Sequence, residues 1–151
     1  VRAVLPGPFD VVASTCLLTQ LVGGAYHAVG QDHPQFPDLV RATRAGHLRL
    51  MTGLTRPGGT AVLITDVTSS DVLPDLPSLP DSALPGVLAG LDRGGRFFQG
   101  VNPTKLLEVF RRDPVLRARV ARVDPVTPWR WDIRFRVYLV WALKLAVGPV
   151  F

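Results

Sequence analysis

The chain has 151 residues, 47% of them hydrophobic and 19% charged, with a mean hydropathy of +0.24. That length supports one domain, that composition excludes a disordered tail, and a single cysteine excludes both a disulfide framework and a multi-cysteine zinc site. The net charge of +5 is uneven, at +1 over residues 1–66, −2 over 67–101 and +6 over 102–151.

The basic last third holds Arg111, Arg112, Arg117, Arg119, Arg122, Arg130, Arg134 and Arg136, with Trp129 and Trp131 among them. Arginines with interleaved aromatic rings suit phosphate contacts and base stacking, so nucleic acid is one partner class to test. Fifteen of the seventeen cations are Arg in a chain crowded with Ala, Gly, Pro and Val, and a bias towards GC-rich codons explains the excess as well. Val1 to Pro8 lack the basic start, apolar run and cleavage site of a secretory signal. The apolar stretch Val137 to Phe151 is broken by Lys144, Gly148 and Pro149 and falls short of the ~20 residues a spanning helix needs. No membrane span is expected, and the cytoplasm is the expected compartment.

In chain order, Phe9 to Ser14 follows a Pro-Gly-Pro turn and reads as a short strand, because apolar and β-branched residues run together between breakers. Ser14 or Thr15 caps a helix beginning at Cys16, which Gly23-Gly24 is expected to end. Residues 27–37 read as loop. Asp38 is the expected cap of a helix with Leu39, Ala42, Gly46, Leu50, Met51 and Leu54 on its apolar face, stopping at Arg56-Pro57-Gly58-Gly59. Thr60 to Val67 is a continuous apolar run of the kind found in strands covered on both faces. Residues 68–101, with Pro74, Pro77, Pro80 and Pro85 among aspartates, read as a Pro/Asp-rich loop insertion with a short helix around Leu84 to Leu91; a polyproline II ligand is the rival reading. Asn102-Pro103 caps a helix that carries Leu106 and Phe110 on one face and ends near Asp113-Pro114. Phe135, Val137, Leu139, Trp141, Leu143 and Leu145 alternate along a terminal strand, expected to pair antiparallel with Ala121 to Val126 across a loop at Thr127 to Asp132. The fold class is therefore α/β, with parallel strands, crossover helices and an antiparallel C-terminal strand pair in a single domain, 1–151.

Two segments carry a resemblance. Phe9-Asp10-Val11-Val12-Ala13-Ser14 followed by Leu17 to Leu21 resembles the fourth-strand motif of class I S-adenosylmethionine-dependent methyltransferases. Leu48 to Leu63, with Leu54-Thr55-Arg56-Pro57-Gly58-Gly59 at its centre, resembles the helix, turn and fifth strand that follow in that family. The terminal alternating strand is similar to the family's antiparallel seventh strand. The resemblance implies a partial Rossmann-like methyltransferase sheet, S-adenosylmethionine as cofactor and methyl transfer to an unidentified acceptor, a small molecule first among the classes. It places Ser14, Thr15 and Cys16 beside the methyl end of the cofactor. Gln20 and Thr65 fall on the substrate side, with Asp66 as the catalytic candidate. The Gly-rich turn after a first strand and the acidic residue closing a second strand are both missing from the chain. With a Val at position 1, the resemblance implies the carboxyl-terminal part of a longer methyltransferase, inactive alone. A non-catalytic binding module that pairs with another chain is the alternative.

Other chemistry is thinner. Cys16 with His27 has no third group to orient it, and a buried free cysteine commonly serves packing. His27, His33 and His47 with Asp32 and Asp38 match no metal-ligand spacing, so no metal is expected. Methyl transfer needs little acid–base chemistry, because the sulfonium is an activated donor and the protein mainly aligns the reactants.

Overall fold

The computed structural model describes residues 4, 5 and 7–148, apart from the side chain of Asp92. Val1 to Ala3 and Pro6, in the expected opening turn, and Pro149 to Phe151, at the end of the apolar tail, lie outside the described residues. The elements run β1 (Phe9–Thr15), α1 (Leu17–Val29), α2 (Phe36–Leu54), β2 (Thr55–Ser69), α3 (Leu84–Gly94), α4 (Pro103–Arg112), α5 (Pro114–Arg119), β3 (Val120–Asp132) and β4 (Val137–Val147). They build a four-stranded mixed sheet in the order β1-β2-β4-β3. β1 and β2 pair in parallel, while β4 runs antiparallel to both β2 and β3. Three strands therefore point one way and β4, set between two of them, points back.

β2 shows why the sheet has a covered face. Ala61, Leu63, Thr65 and Val67 are fully buried while Val62, Ile64 and Asp66 between them are half-buried, the period of two that a pleated strand imposes. Register places Leu63 beside Leu143 and Ala61 beside Leu145, so β4 continues the buried face. On β1, Val12 and Ser14 join that face and Val11, Ala13 and Thr15 lie on the other, where Val11 is 62% exposed. The crossover helices α1 and α2 pack against each other and against β1 and β2. No helix among the described residues is long and apolar enough to cross a membrane.

Several boundaries differ from the sequence reading, each for a physical reason. α1 runs through Gly23-Gly24 to Val29, because burial of Leu18 and Val22 outweighs two glycines at ~1 kcal/mol each. α2 starts at Phe36 with Pro37 in its first turn, leaving Asp38 inside the helix, paired with Arg41. Its buried face is Phe36, Val40, His47, Leu48, Met51, Thr52 and Leu54; Ala42 and Gly46 are exposed and Leu39 is half-buried, because two polar residues sit on the core side and mislead a count of apolar positions. Residues 68–101 contain the helix expected around Leu84 to Leu91 and more regular structure beside it than the loop reading allows. β2 extends to Ser69, two 3-10 turns (Leu76–Ser78 and Asp81–Ala83) and α3 follow, and Leu76, Leu84 and Leu91 are buried at ~2 kcal/mol apiece. β3 continues through Thr127 to Asp132, since an edge strand tolerates Pro125 and a bulge between Val126 and Trp129 accommodates Pro128. The turn lies instead at residues 133–136, where Phe135 is 93% exposed rather than part of the alternating strand.

The Arg56-Pro57-Gly58-Gly59 segment opens β2 as an irregular stretch and is not a turn between elements. The partner of Phe9 is Thr55 and that of Val11 is Thr60, so β2 bulges here. Gly58 takes φ 77°, and a Cβ on Gly59 would stand 2.7 Å from the Asp10 carbonyl oxygen and 2.8 Å from Thr55 Cγ2. Gly59→Ala is therefore expected to lower unfolding stability by about 2 kcal/mol, while Gly24→Ala, in open space within α1, raises it by about 0.5–1 kcal/mol. Urea unfolding of the two variants checks the opposite signs.

Candidate functional site at the ends of β1 and β2

β1 pairs with β2 as far as Thr15 and Ile64, and beyond that point the two chains diverge. Cys16 makes the turn into α1 in a left-handed conformation, φ 51° and ψ 21°, with its amide donating to Ile64 O at 2.8 Å. A side chain in that region costs ~1 kcal/mol, and the strand-to-helix turn is held by its neighbours. Thr19 Oγ1 lies 3.1 Å from Cys16 O and donates to Asp66 Oδ1 at 2.8 Å. Burial, and then the Asp66 carboxylate, push the Cys16 thiol up from its ordinary 9.0 to about 11.

Ser14, one residue of sheet period back, faces the helices. Its Oγ is 2.8 Å from His47 Nε2 across 33 residues of sequence, and both groups are buried. Burial alone lowers the His47 pKa, so the imidazole is neutral and shares a single proton with the hydroxyl. Beside Thr19 a cleft of about 360 Å³ opens between α1 and the segment before α4, lined by Thr19, Val22, Gly23, Tyr26, Phe98 and Gln99. That segment is tied to the end of β2: Phe98 N donates to Val67 O at 2.8 Å, and Thr68 Oγ1 to Arg96 O at 3.1 Å.

The structure brings Ser14, Thr15, Cys16 and Asp66 to the carboxyl ends of two adjacent parallel strands. Asp66 is not the last residue of β2, but with Thr65 before it, it lies beyond the end of the β1 pairing and is paired on the β4 side only. Thr65 is fully buried, its hydroxyl 3.4 Å from Asp66 O, and Gln20 is exposed; neither reaches the cleft. Thr19 and Gln99 escaped the sequence reading, and His47 entered it only among the metal-ligand candidates. Thr19 stood three residues past Cys16, the position where a helix-opening side chain reaches back, whereas nothing local points from Ser14 to His47. His27 and His33 are exposed, and no group of three or more His, Cys, Asp and Glu side chains is placed to hold a metal ion among the described residues.

A thiol with a raised pKa, three hydroxyls and one carboxylate gather here, and none of the hydroxyls is held by a histidine–carboxylate pair among the described residues. Ser14 is 6% exposed and among the described residues its histidine has no acidic partner, unlike a hydrolase triad. Several basic residues of the last third are committed elsewhere: Arg122 pairs with Asp124, Arg130 with Asp81, Arg136 with Asp71, and Arg119 donates to Thr52 O and Thr55 O. Comparison with protein-family models, with curated proteins and with solved structures finds no match.

Alkylation of Cys16 by iodoacetamide is expected to follow a pH profile with its midpoint near 11, shifted downwards in Asp66→Asn; a midpoint below 9 in the unaltered chain contradicts this placement. His47 gives a second handle. Its folded pKa lies below the unfolded value of 6.5, so the unfolded chain binds the extra proton, and stability falls as pH drops from 6.5 towards the folded value. Unfolding midpoints measured between pH 7 and pH 5 are expected to fall more steeply for the unaltered chain than for His47→Gln.

Proposed function

We propose that the chain is the carboxyl-terminal part of a class I S-adenosylmethionine-dependent methyltransferase, whose catalytic sheet is completed by strands beyond the free edge of β1. The observation that carries this reading is the strand arrangement: β1, β2 and β3 run one way, and β4 runs back between β2 and β3. In the doubly wound order 3-2-1-4-5-6, strand four lies between strands one and five. Assigning β1 to four and β2 to five, as the Phe9–Ser14 and Leu54–Gly59 motifs do, leaves an open edge where strand one belongs. β4 then takes the place of the antiparallel seventh strand.

Open α/β sheets bind ligands beyond the carboxyl ends of their strands. There the chain offers Thr15 and Cys16 to the cofactor's sulfonium end, with Ser14 turned into the core against His47, and the Asp66 carboxylate supplies opposite charge to a positive sulfur. The cleft beside Thr19 falls in the range of small-ligand pockets, about 300–1,000 Å³, which favours a small-molecule acceptor. In this reading Thr19 and Gln99, rather than Gln20 and Thr65, line the acceptor side. Catalysis is alignment: the residues position nucleophile, methyl and leaving sulfur without forming a covalent intermediate.

A second reading has its own observation. Val11, Leu17, Leu21 and Val29 are exposed apolar side chains on β1 and α1, a surface equally fit for a non-catalytic module that pairs with another chain. Cofactor binding separates the two. A ligand that binds only the folded protein raises its melting temperature, by roughly 2.7 kcal/mol of stability at a hundred times Kd. With S-adenosylhomocysteine the chain alone is expected to show no shift, and the chain extended upstream in its reading frame a shift of several degrees. Absence of a shift in both leaves the pairing module as the function.

A further inference from the structure

Away from the strand ends, α2 and α4 face each other across a cleft of about 600 Å³ that shares no residue with the Cys16–Asp66 cluster. α2 contributes Arg41, Arg44 and Arg49, and α4 contributes Lys105 and Arg112. Only two carboxylates line the same space. Asp113 is taken by Arg49 at 2.6 Å and by the amides of Val115 and Leu116; burial raises its pKa, but these contacts prevail and hold it below the usual carboxylate range. Glu108 lies 3.5 Å from Lys105 Nζ. Arg41 turns to Asp38 at the cleft's outer side.

Two guanidinium groups are left over. Among the described residues neither Arg44 nor Arg112 forms an ion pair. Arg44 is half-buried and its Nε is fully shielded from solvent with no hydrogen-bond partner. Burial, and then the neighbouring Arg41, act against its charge, while Glu108 offsets only part. Among the described residues no hydrogen bond therefore holds the Arg44 guanidinium, and its fork stays available to an anion in the cleft. The planar fork of arginine matches phosphate oxygens better than any other side chain.

We propose that the cleft between α2 and α4 binds a small phosphorylated anion, with Arg44 and Arg112 as its main contacts and Lys105 as a third cation. Five cations against two carboxylates leave an excess of positive charge that suits a diphosphate better than a single phosphate. The site is independent of the methyltransferase reading, because none of its residues belongs to the strand-end cluster.

The test is titration calorimetry of the chain with inorganic pyrophosphate, against sodium chloride at matched ionic strength. Saturable one-to-one binding with Kd below about 1 mM is expected. Arg112→Gln, at an exposed position that leaves the core intact, is expected to weaken it about tenfold, and Arg44→Lys, which keeps the charge but loses the fork, to weaken it as well. Arg117→Gln, outside the cleft, is expected to leave it unchanged. Absence of saturable binding overturns the proposal, as does an equal loss in all three variants. Binding of a short single-stranded oligonucleotide without pyrophosphate binding overturns it too, because the cations then serve a polymer's backbone.

Discussion

β2 has to be paired along both edges at once, and the rest of the structure follows from that requirement. Fifteen residues of strand, with Ala61, Leu63, Thr65 and Val67 fully buried on one face, take β1 on one side and β4 on the other. The parallel partner demands a crossover, which α1 and α2 supply. The antiparallel partner brings the chain's last strand back against its middle. β3 then finishes one end of the sheet as an edge roughened by prolines and a bulge, a form that discourages further pairing. β1 ends the other side with no comparable protection. Among the described residues no strand pairs with its outer edge, and Val11 is exposed.

That asymmetry links fold to function. An unprotected parallel edge is where a sheet grows, and the strand ends beside it carry the polar cluster of Ser14, Cys16, Thr19 and Asp66. In the proposed function these residues form one half of a ligand site, and the strand that pairs with β1 supplies the other half. Cys16 fits such a role: a thiol raised to about 11 and a left-handed backbone make it a contact surface at neutral pH rather than a nucleophile. Ser14 and His47 do a different task, tying β1 to α2 through the core.

Much of this was legible in the sequence wherever a local rule acts alone. Phe9 to Ser14, Thr60 to Val67, the Asn102-Pro103 cap and, from Val137 onwards, the terminal strand lie where their patterns put them, and Asn102 Oδ1 accepts from the Lys105 amide as a cap should. Reading failed where tertiary packing overrides a local signal. Glycine pairs stop neither α1 nor β2, because Val22 on one and the close approach of Asp10 to Gly59 on the other decide the backbone. Residues 68–101 resembled a loop because proline and aspartate outnumber the three leucines that anchor the segment in the core. At the site, the strand-end positions were accessible from motif order, while the Ser14–His47 bond and the orphaned Arg44 guanidinium belong to contacts between distant elements.

Hydrogen exchange along β1 tests the incomplete sheet most directly. The Cys16 amide donates to Ile64 O, so by the period of two the amides of Val12 and Ser14 point towards β2, and those of Val11, Ala13 and Thr15 point to the free edge. In the chain alone, Val12 and Ser14 should be protected while Val11, Ala13 and Thr15 exchange at rates close to those of unstructured backbone. In the chain extended upstream, the second set should gain protection comparable to the first. If Val11, Ala13 and Thr15 exchange equally fast in both, no strand joins that edge, and β1 is the true end of the sheet.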